Sequence, residues 1–180
     1  MWSVHGNDLR KRAGLEAVAG DVKCLAFSDD GRMLAAGTSG GAVQTWKLGW
    51  LGARQGQVFA GHRGAVTSLT VARGGDLLAS AGIDRSVRVW PLAGGQKAVL
   101  QGLKGVVRQM MFLPDPELIL TACDGGQVIL WNWADGTRQH EWKLDQPIIC
   151  SLALASDGCL LAAGSSDGTA SIYDLAPEGP

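Results

Sequence analysis

The sequence predicts an all-β chain made of four repeated units, each of four short antiparallel strands, and three observations lead there. Aromatic residues recur at Trp2, Trp46, Trp90, Trp131 and Tyr173, at intervals of 44, 44, 41 and 42 residues. Glycine is about twice its usual share of about 7%, at 26 of 180 residues, and the glycines fall between apolar runs where tight turns are needed. Helical periodicity is absent, because Gly and Asp-Gly interrupt each segment before a helix could nucleate.

Other landmarks keep the same phase. Twenty-four residues before each of the last four aromatics stands a β-branched residue: Val22, Val66, Val107 and Ile149. Ten before stands a small one, Ala36, Ser80, Thr121 or Ala163, and fifteen before a turn former, Gly31, Gly75, Pro116 or Gly158. A fixed period of this length marks a repeat architecture.

Residues 1–19 read as a partial unit, in which Trp2 closes a third strand and Leu15-Glu16-Ala17-Val18 supplies a fourth. The first full unit covers about 20–60, turns at Asp29-Asp30-Gly31, and ends its third strand at Gln44-Thr45-Trp46-Lys47-Leu48. In the second, about 61–101, Val66-Thr67-Ser68-Leu69-Thr70-Val71 is a β-rich run closed by the turn Arg73-Gly74-Gly75-Asp76. Leu77-Leu78-Ala79-Ser80-Ala81 follows, small and apolar enough to be buried on both faces; Ser86-Val87-Arg88-Val89-Trp90 then alternates with period two. Ala98-Val99-Leu100-Gln101 makes the fourth strand. The third unit, about 102–144, closes its third strand at Ile129-Leu130-Trp131-Asn132-Trp133, and the fourth, about 145–175, at Ser171-Ile172-Tyr173-Asp174-Leu175. Residues 176–180 read as a flexible tail. Four strands per unit of this length describe a propeller blade.

These residues resemble the WD40-repeat family. The second unit carries the resemblance best, from Gly61-His62 to Val87-Arg88-Val89-Trp90-Pro91-Leu92, and the likeness runs over nearly all of residues 15 to 175. It implies an all-β, WD40-type β-propeller with four blades of four antiparallel strands, as a closed small ring or a partial propeller. It also implies that an N-terminal fourth strand pairs with the last three strands to close a ring. A short segment of a larger propeller protein fits the same strand count.

Ser80, His62 and Asp84 invite a hydrolase reading, with His62 taking the proton of Ser80 and Asp84 orienting the imidazole. Ser80 lies within a strand, however, and no Gly-x-Ser-x-Gly elbow surrounds it. The family resemblance implies another role: His62, Ser80, Asp84 and Trp90 form a buried structural hydrogen-bond network. No other unit has the full set. The third keeps Thr121 and Trp131 but has Gly125 at the Asp position, with Asp124 displaced by one. The fourth keeps Asp167 but has Ala163 and no His before its first strand, and the first has Ala36 and Gly40. The second unit is therefore expected to be the most rigid, and the chain is expected not to be an enzyme.

Composition excludes further classes. Sixteen basic and seventeen acidic residues give net charge −1, without the basic excess that phosphate neutralisation requires, so no nucleic-acid partner is indicated. No apolar run reaches the ~20 residues of a membrane helix, so no membrane association is indicated. Gly37-Thr38-Ser39-Gly40-Gly41 lacks the Gly-Lys-Ser/Thr of a phosphate loop, and His5, His62 and His140 share no metal-ligand spacing. No cofactor or metal is expected. Cys24, Cys123, Cys150 and Cys159 are scattered and read as reduced thiols, which points to the cytoplasm or the nucleus.

In WD40 propellers partners commonly bind the face made by loops entering strand one and joining strands two and three. The neighbours of the β-branched marker on that face are Asp21 and Lys23, Ala65 and Thr67, Val106 and Arg108, and Ile148 and Cys150. From the second loop come Ser39, Ile83, Asp124 and Ser166. The candidate partner-binding set is Asp21, Lys23, Ser39, Thr67, Ile83, Arg108, Asp124 and Ser166. Its mixture of charge and apolar groups suits protein or peptide partners. The expected function is a non-catalytic interaction scaffold; the alternative is a structural or regulatory segment that associates with other propeller segments.

Overall fold

A computed structural model of the chain describes residues 14–15, 20–50, 52–145, 148–155 and 157–175. Apart from Gly14 and Leu15, the partial unit expected over residues 1–19 lies outside the described residues, and so does the tail 176–180. Fifteen strands form four antiparallel meanders, and no helix is present among the described residues.

The first blade is β1 (Val22–Phe27), β2 (Met33–Thr38), β3 (Ala42–Gly49) and β4 (Gly52–Ala60). The second is β5 (Val66–Val71), β6 (Leu77–Gly82), β7 (Val87–Pro91) and β8 (Ala98–Leu100). The third is β9 (Val107–Phe112), β10 (Leu118–Cys123), β11 (Gln127–Asn132) and β12 (Thr137–Lys143). The fourth blade contains β13 (Ile149–Leu154), β14 (Leu160–Ser165) and β15 (Ala170–Asp174), three strands among the described residues. The four β-branched markers are the first residues of β1, β5, β9 and β13.

The second strand of the second blade, β6, lies between two neighbouring blades and is buried on both faces, which suits its small residues. Leu78, Ala79, Ser80 and Ala81 are all 0% exposed. Ala35, Val43 and Phe59 of the first blade pack on Val66, Leu69, Leu78 and Trp90 of the second. Ala79, Val87 and Val89 pack in turn on Val107, Met110, Ile119 and Trp131, and Leu120, Ala122 and Val128 on Ile149, Leu152 and Leu161. Burying each large side chain in these joints contributes about 1.5–3 kcal/mol relative to leaving it in water.

Backbone approach between blades restricts one turn in particular. Gly41 has φ of +83°, and a Cβ there would lie 2.6 Å from the carbonyl oxygen of His62 in the next blade. Glycine satisfies both the left-handed backbone and the missing space.

Blade faces at the two ends of the row differ from the joints. Where β5 buries Val66 and Leu69, β1 leaves Val22, Leu25 and Phe27 46%, 60% and 61% exposed. On the far side of the fourth blade Leu160 is 44% and Ile172 74% exposed.

Candidate functional site

The second blade holds His62, Ser80, Asp84 and Trp90 in one chain of hydrogen bonds. The Trp90 indole N–H donates to Ser80 Oγ at 2.8 Å, and Ser80 Oγ lies 2.8 Å from His62 Nε2. His62 Nδ1 sits 3.0 and 3.1 Å from the two oxygens of Asp84. These partners assign the tautomer: Nδ1–H donates to the carboxylate, and Nε2 accepts the Ser80 hydroxyl proton, which satisfies every group with a neutral ring. Burial holds the His62 pKa below the usual imidazole value, against the opposing pull of Asp84. Burial also works against the Asp84 charge, but hydrogen bonds from the Arg63 backbone, His62 and Ser86 outweigh it and bring the carboxyl to about 2.

Two partners in this network are absent from the sequence reading. The Arg63 N–H donates to Asp84 Oδ2 at 2.9 Å and the Ser86 hydroxyl to Asp84 Oδ1 at 2.9 Å. A serine two residues after a turn aspartate was the available signal. The third blade keeps half the chain: the Trp131 N–H donates to Thr121 Oγ1 at 3.0 Å. Gln127, 5% exposed, instead donates to Glu141 at 2.6 Å.

The arrangement resembles a Ser-His-Asp triad in connectivity, but not in access. Ser80 is 0% exposed and its oxygen already accepts the indole N–H. A substrate carbonyl has no route to it.

The opposite chemistry, open and polar, sits at the starts of the inner strands. Each inner strand carries a β-bulge at its second residue. Pairing passes from Val22 to Cys24, from Val66 to Ser68, from Val107 to Gln109 and from Ile149 to Ser151. The residues left out are Lys23, Thr67, Arg108 and Cys150. A bulge re-aims the extra side chain, and here all four line one cavity of about 460 Å³ together with Ala65 and Ile148. Thr67 Oγ1 donates to the Val107 carbonyl at 2.7 Å, bridging two blades.

Asp21, Ser39, Ile83, Asp124 and Ser166 do not line that cavity; they stand around it. In every blade the backbone N–H of the second-loop residue donates to the carbonyl just before strand one. The pairs are Ser39 to Asp21 at 2.8 Å, Ile83 to Ala65 at 2.9 Å, Asp124 to Val106 at 2.9 Å and Ser166 to Ile148 at 3.1 Å. Asp124 also accepts two bonds from Arg108, at 2.7 and 2.9 Å, and these hold the Arg108 pKa above its ordinary value. Lys23 Nζ is 3.8 Å from Asp21. Among the described residues no group of three or more His, Cys, Asp or Glu is placed to hold a metal ion.

Blades of four-stranded meanders, joined face to face and ringed at one end by repeated loops, define a repeat-built propeller module. The family model described as "WD domain, G-beta repeat" matches residues 15–47, 53–91, 94–132 and 137–174, so the chain belongs to the WD40-repeat family. WD repeat-containing protein SL1-17 of Schistosoma mansoni is 31% identical over 118 residues, 65% of this chain and 39% of that protein. The p21-activated protein kinase-interacting protein 1-like of Danio rerio is 27% identical over 157 residues, 87% of this chain and 41% of that protein. A chain in the crystal structure of the Mitotic Checkpoint Complex superposes with a TM-score of 0.76 at 21% identity, covering 86% of this chain and 49% of that one, which shows the fold. The chain spans less than half the length of each. WD40 folds serve in general as protein-interaction scaffolds rather than as catalysts.

Proposed function

We propose that the chain is a non-catalytic scaffold that takes up a segment of a partner protein at the cavity lined by Lys23, Thr67, Arg108 and Cys150. The convergence of four bulged residues on one opening carries this reading. A bulge costs ladder pairing, and four at equivalent places aim two cations, a hydroxyl and a thiol at the same space. Cations beside apolar Ala65 and Ile148 suit a peptide with both polar and apolar side chains. The kinase-interacting relative bears protein binding in its name, which supports a protein as the partner here. The test is capture from a lysate by the wild-type chain and by Arg108→Glu and Asp124→Lys variants, with bound proteins identified by mass. A partner retained equally by all three would sink the assignment of this face.

A second reading rests on the outer faces of the first and fourth blades, where Leu25, Phe27 and Ile172 are exposed. Contiguous apolar faces favour association, and further propeller blades would cover them. Light scattering on the wild type and on Phe27→Ser and Ile172→Ser separates the two readings: self-association abolished by these changes supports a segment that packs on other blades. We also infer a reducing compartment, cytoplasm or nucleus, from the exposed unpaired thiols of Cys150 and Cys159. Imaging of a tagged chain tests that inference.

A further inference from the structure

The opposite ends of the first two blades hold a second opening. It is a cleft of about 680 Å³ between the hairpins of the first blade and the Gly74-Gly75 turn of the second. Three cations line it: Arg32 just before β2, Lys47 near the end of β3 and Arg54 near the start of β4. Lys47 and Arg54 are direct cross-strand partners. Like charges placed opposite each other in an antiparallel pair destabilise it, and the same place in the third blade carries the neutral pair Asn132 and Thr137. Neither Lys47 nor Arg54 forms an ion pair among the described residues.

One carboxylate lines the cleft, and its turn already uses it. Asp30 accepts the Ser28 hydroxyl at 2.6 Å and the Arg32 N–H at 2.9 Å, with the Arg32 guanidinium 4.0 Å away. Asp29 and Asp76 stand on adjoining turns but do not line it. Three residues beyond Lys47, at the tip of the same hairpin, Trp50 is 87% exposed. An exposed tryptophan beside uncompensated cations is a common composition for a protein-binding hot spot.

We propose that this cleft binds an acidic, Asp/Glu-rich segment of a partner protein, independently of the cavity at the other end of the blades. Three cations on one blade edge, in a chain of net charge −1, match a short acidic segment better than a nucleic-acid backbone, which requires an extended basic track. The probe is a fluorescein-labelled Glu-rich peptide, followed by anisotropy with the full chain. Lys47→Glu/Arg54→Glu should weaken binding about tenfold or more, Lys47→Gln/Arg54→Gln by an intermediate factor, and added salt should weaken the wild type. Arg108→Glu should leave the affinity within about twofold, because it lies beyond a Debye length of about 10 Å at the other end of the strands. Circular dichroism checks that each variant is folded. Absence of binding, binding that survives both double variants, loss of binding with Arg108→Glu, or tighter binding of a single-stranded oligonucleotide through the same residues would overturn the proposal.

Discussion

Replacing Ser80 with alanine removes one oxygen and leaves two ring nitrogens without their partner. Trp90 Nε1 and His62 Nε2 both lie 2.8 Å from that oxygen, with Trp90 3% and His62 8% exposed, so water cannot replace it freely. Serine and alanine are close in volume, so no sizeable cavity forms and the loss is one of hydrogen bonding. A buried polar group stripped of its partner costs about 1–3 kcal/mol. Two such groups set a range of about 2–6 kcal/mol, and the surviving His62–Asp84 bond places the outcome near 3 kcal/mol. For a chain of this length that is a fall in Tm of about 6–12 °C. Thr121→Val is the internal control, because it keeps the buried methyl and removes a hydroxyl that satisfies one indole N–H and no imidazole; it should cost about half as much. Urea unfolding gives the energies, and amide exchange locates them, since a row of blades need not unfold in one step. Exchange in wild-type β6 and β7 should be the slowest in the chain, and Ser80→Ala should accelerate it while leaving β14 unchanged. If Ser80→Ala costs less than Thr121→Val, or if another blade exchanges more slowly than the second, the network does not have the role derived from its geometry.

Acid should act on the same blade. Because the folded His62 pKa lies below its unfolded value, the unfolded state binds the extra proton, so stability is full above pH of about 6.5 and declines as the pH drops below it. A second loss follows between about pH 4 and pH 2 as Asp84, held at about 2, takes up its proton. Thermal melts of the wild type and His62→Gln across this range check the assignment, the variant being expected to lack the first decline. Gly41→Ala should destabilise the joint between the first two blades by more than about 1 kcal/mol, read from urea midpoints, since the added carbon meets the His62 backbone and the φ is unfavourable. Arg108→Ala should change stability by at most about 1 kcal/mol, because its ion pair with Asp124 is exposed, while reducing partner capture. Thiol labelling of the native chain should proceed quickly at Cys150 and Cys159. Burial pushes Cys24 to about 11 and Cys123 to about 12, so these two should react only after denaturation.

The repeat was legible because a blade imposes its geometry on the sequence at fixed intervals. Val22, Val66, Val107 and Ile149 open the inner strands, and the aromatics Trp46, Trp90, Trp131 and Tyr173 lie near the ends of the third strands. The small residues of β6 follow from burial on two faces. The bulges were not legible, since an extra residue such as Lys23 or Arg108 leaves the surrounding pattern of apolar residues intact. Only the pairing register reveals that it stands outside the ladder. Ser86 escaped notice because its role depends on the turn that brings it back to Asp84, and the link from Gln127 to Glu141 because it joins strands whose register was not assigned. For the same reason the facing of Lys47 and Arg54 becomes visible only once the long hairpin of the first blade is aligned.

The bulges have a consequence for how such a chain can change. A residue inside the ladder is constrained by its neighbours on both strands and by the blade beyond. Lys23, Arg108 and Cys150 are skipped by that pairing, so under the proposed binding role exchanging their side chains would alter what the opening takes up while the cross-strand pairing remains in place. Thr67 is the exception, because its hydroxyl ties two blades. If the proposed binding holds, recognition and architecture are written at separate positions, and a new specificity would need drift at three sites without refolding around it.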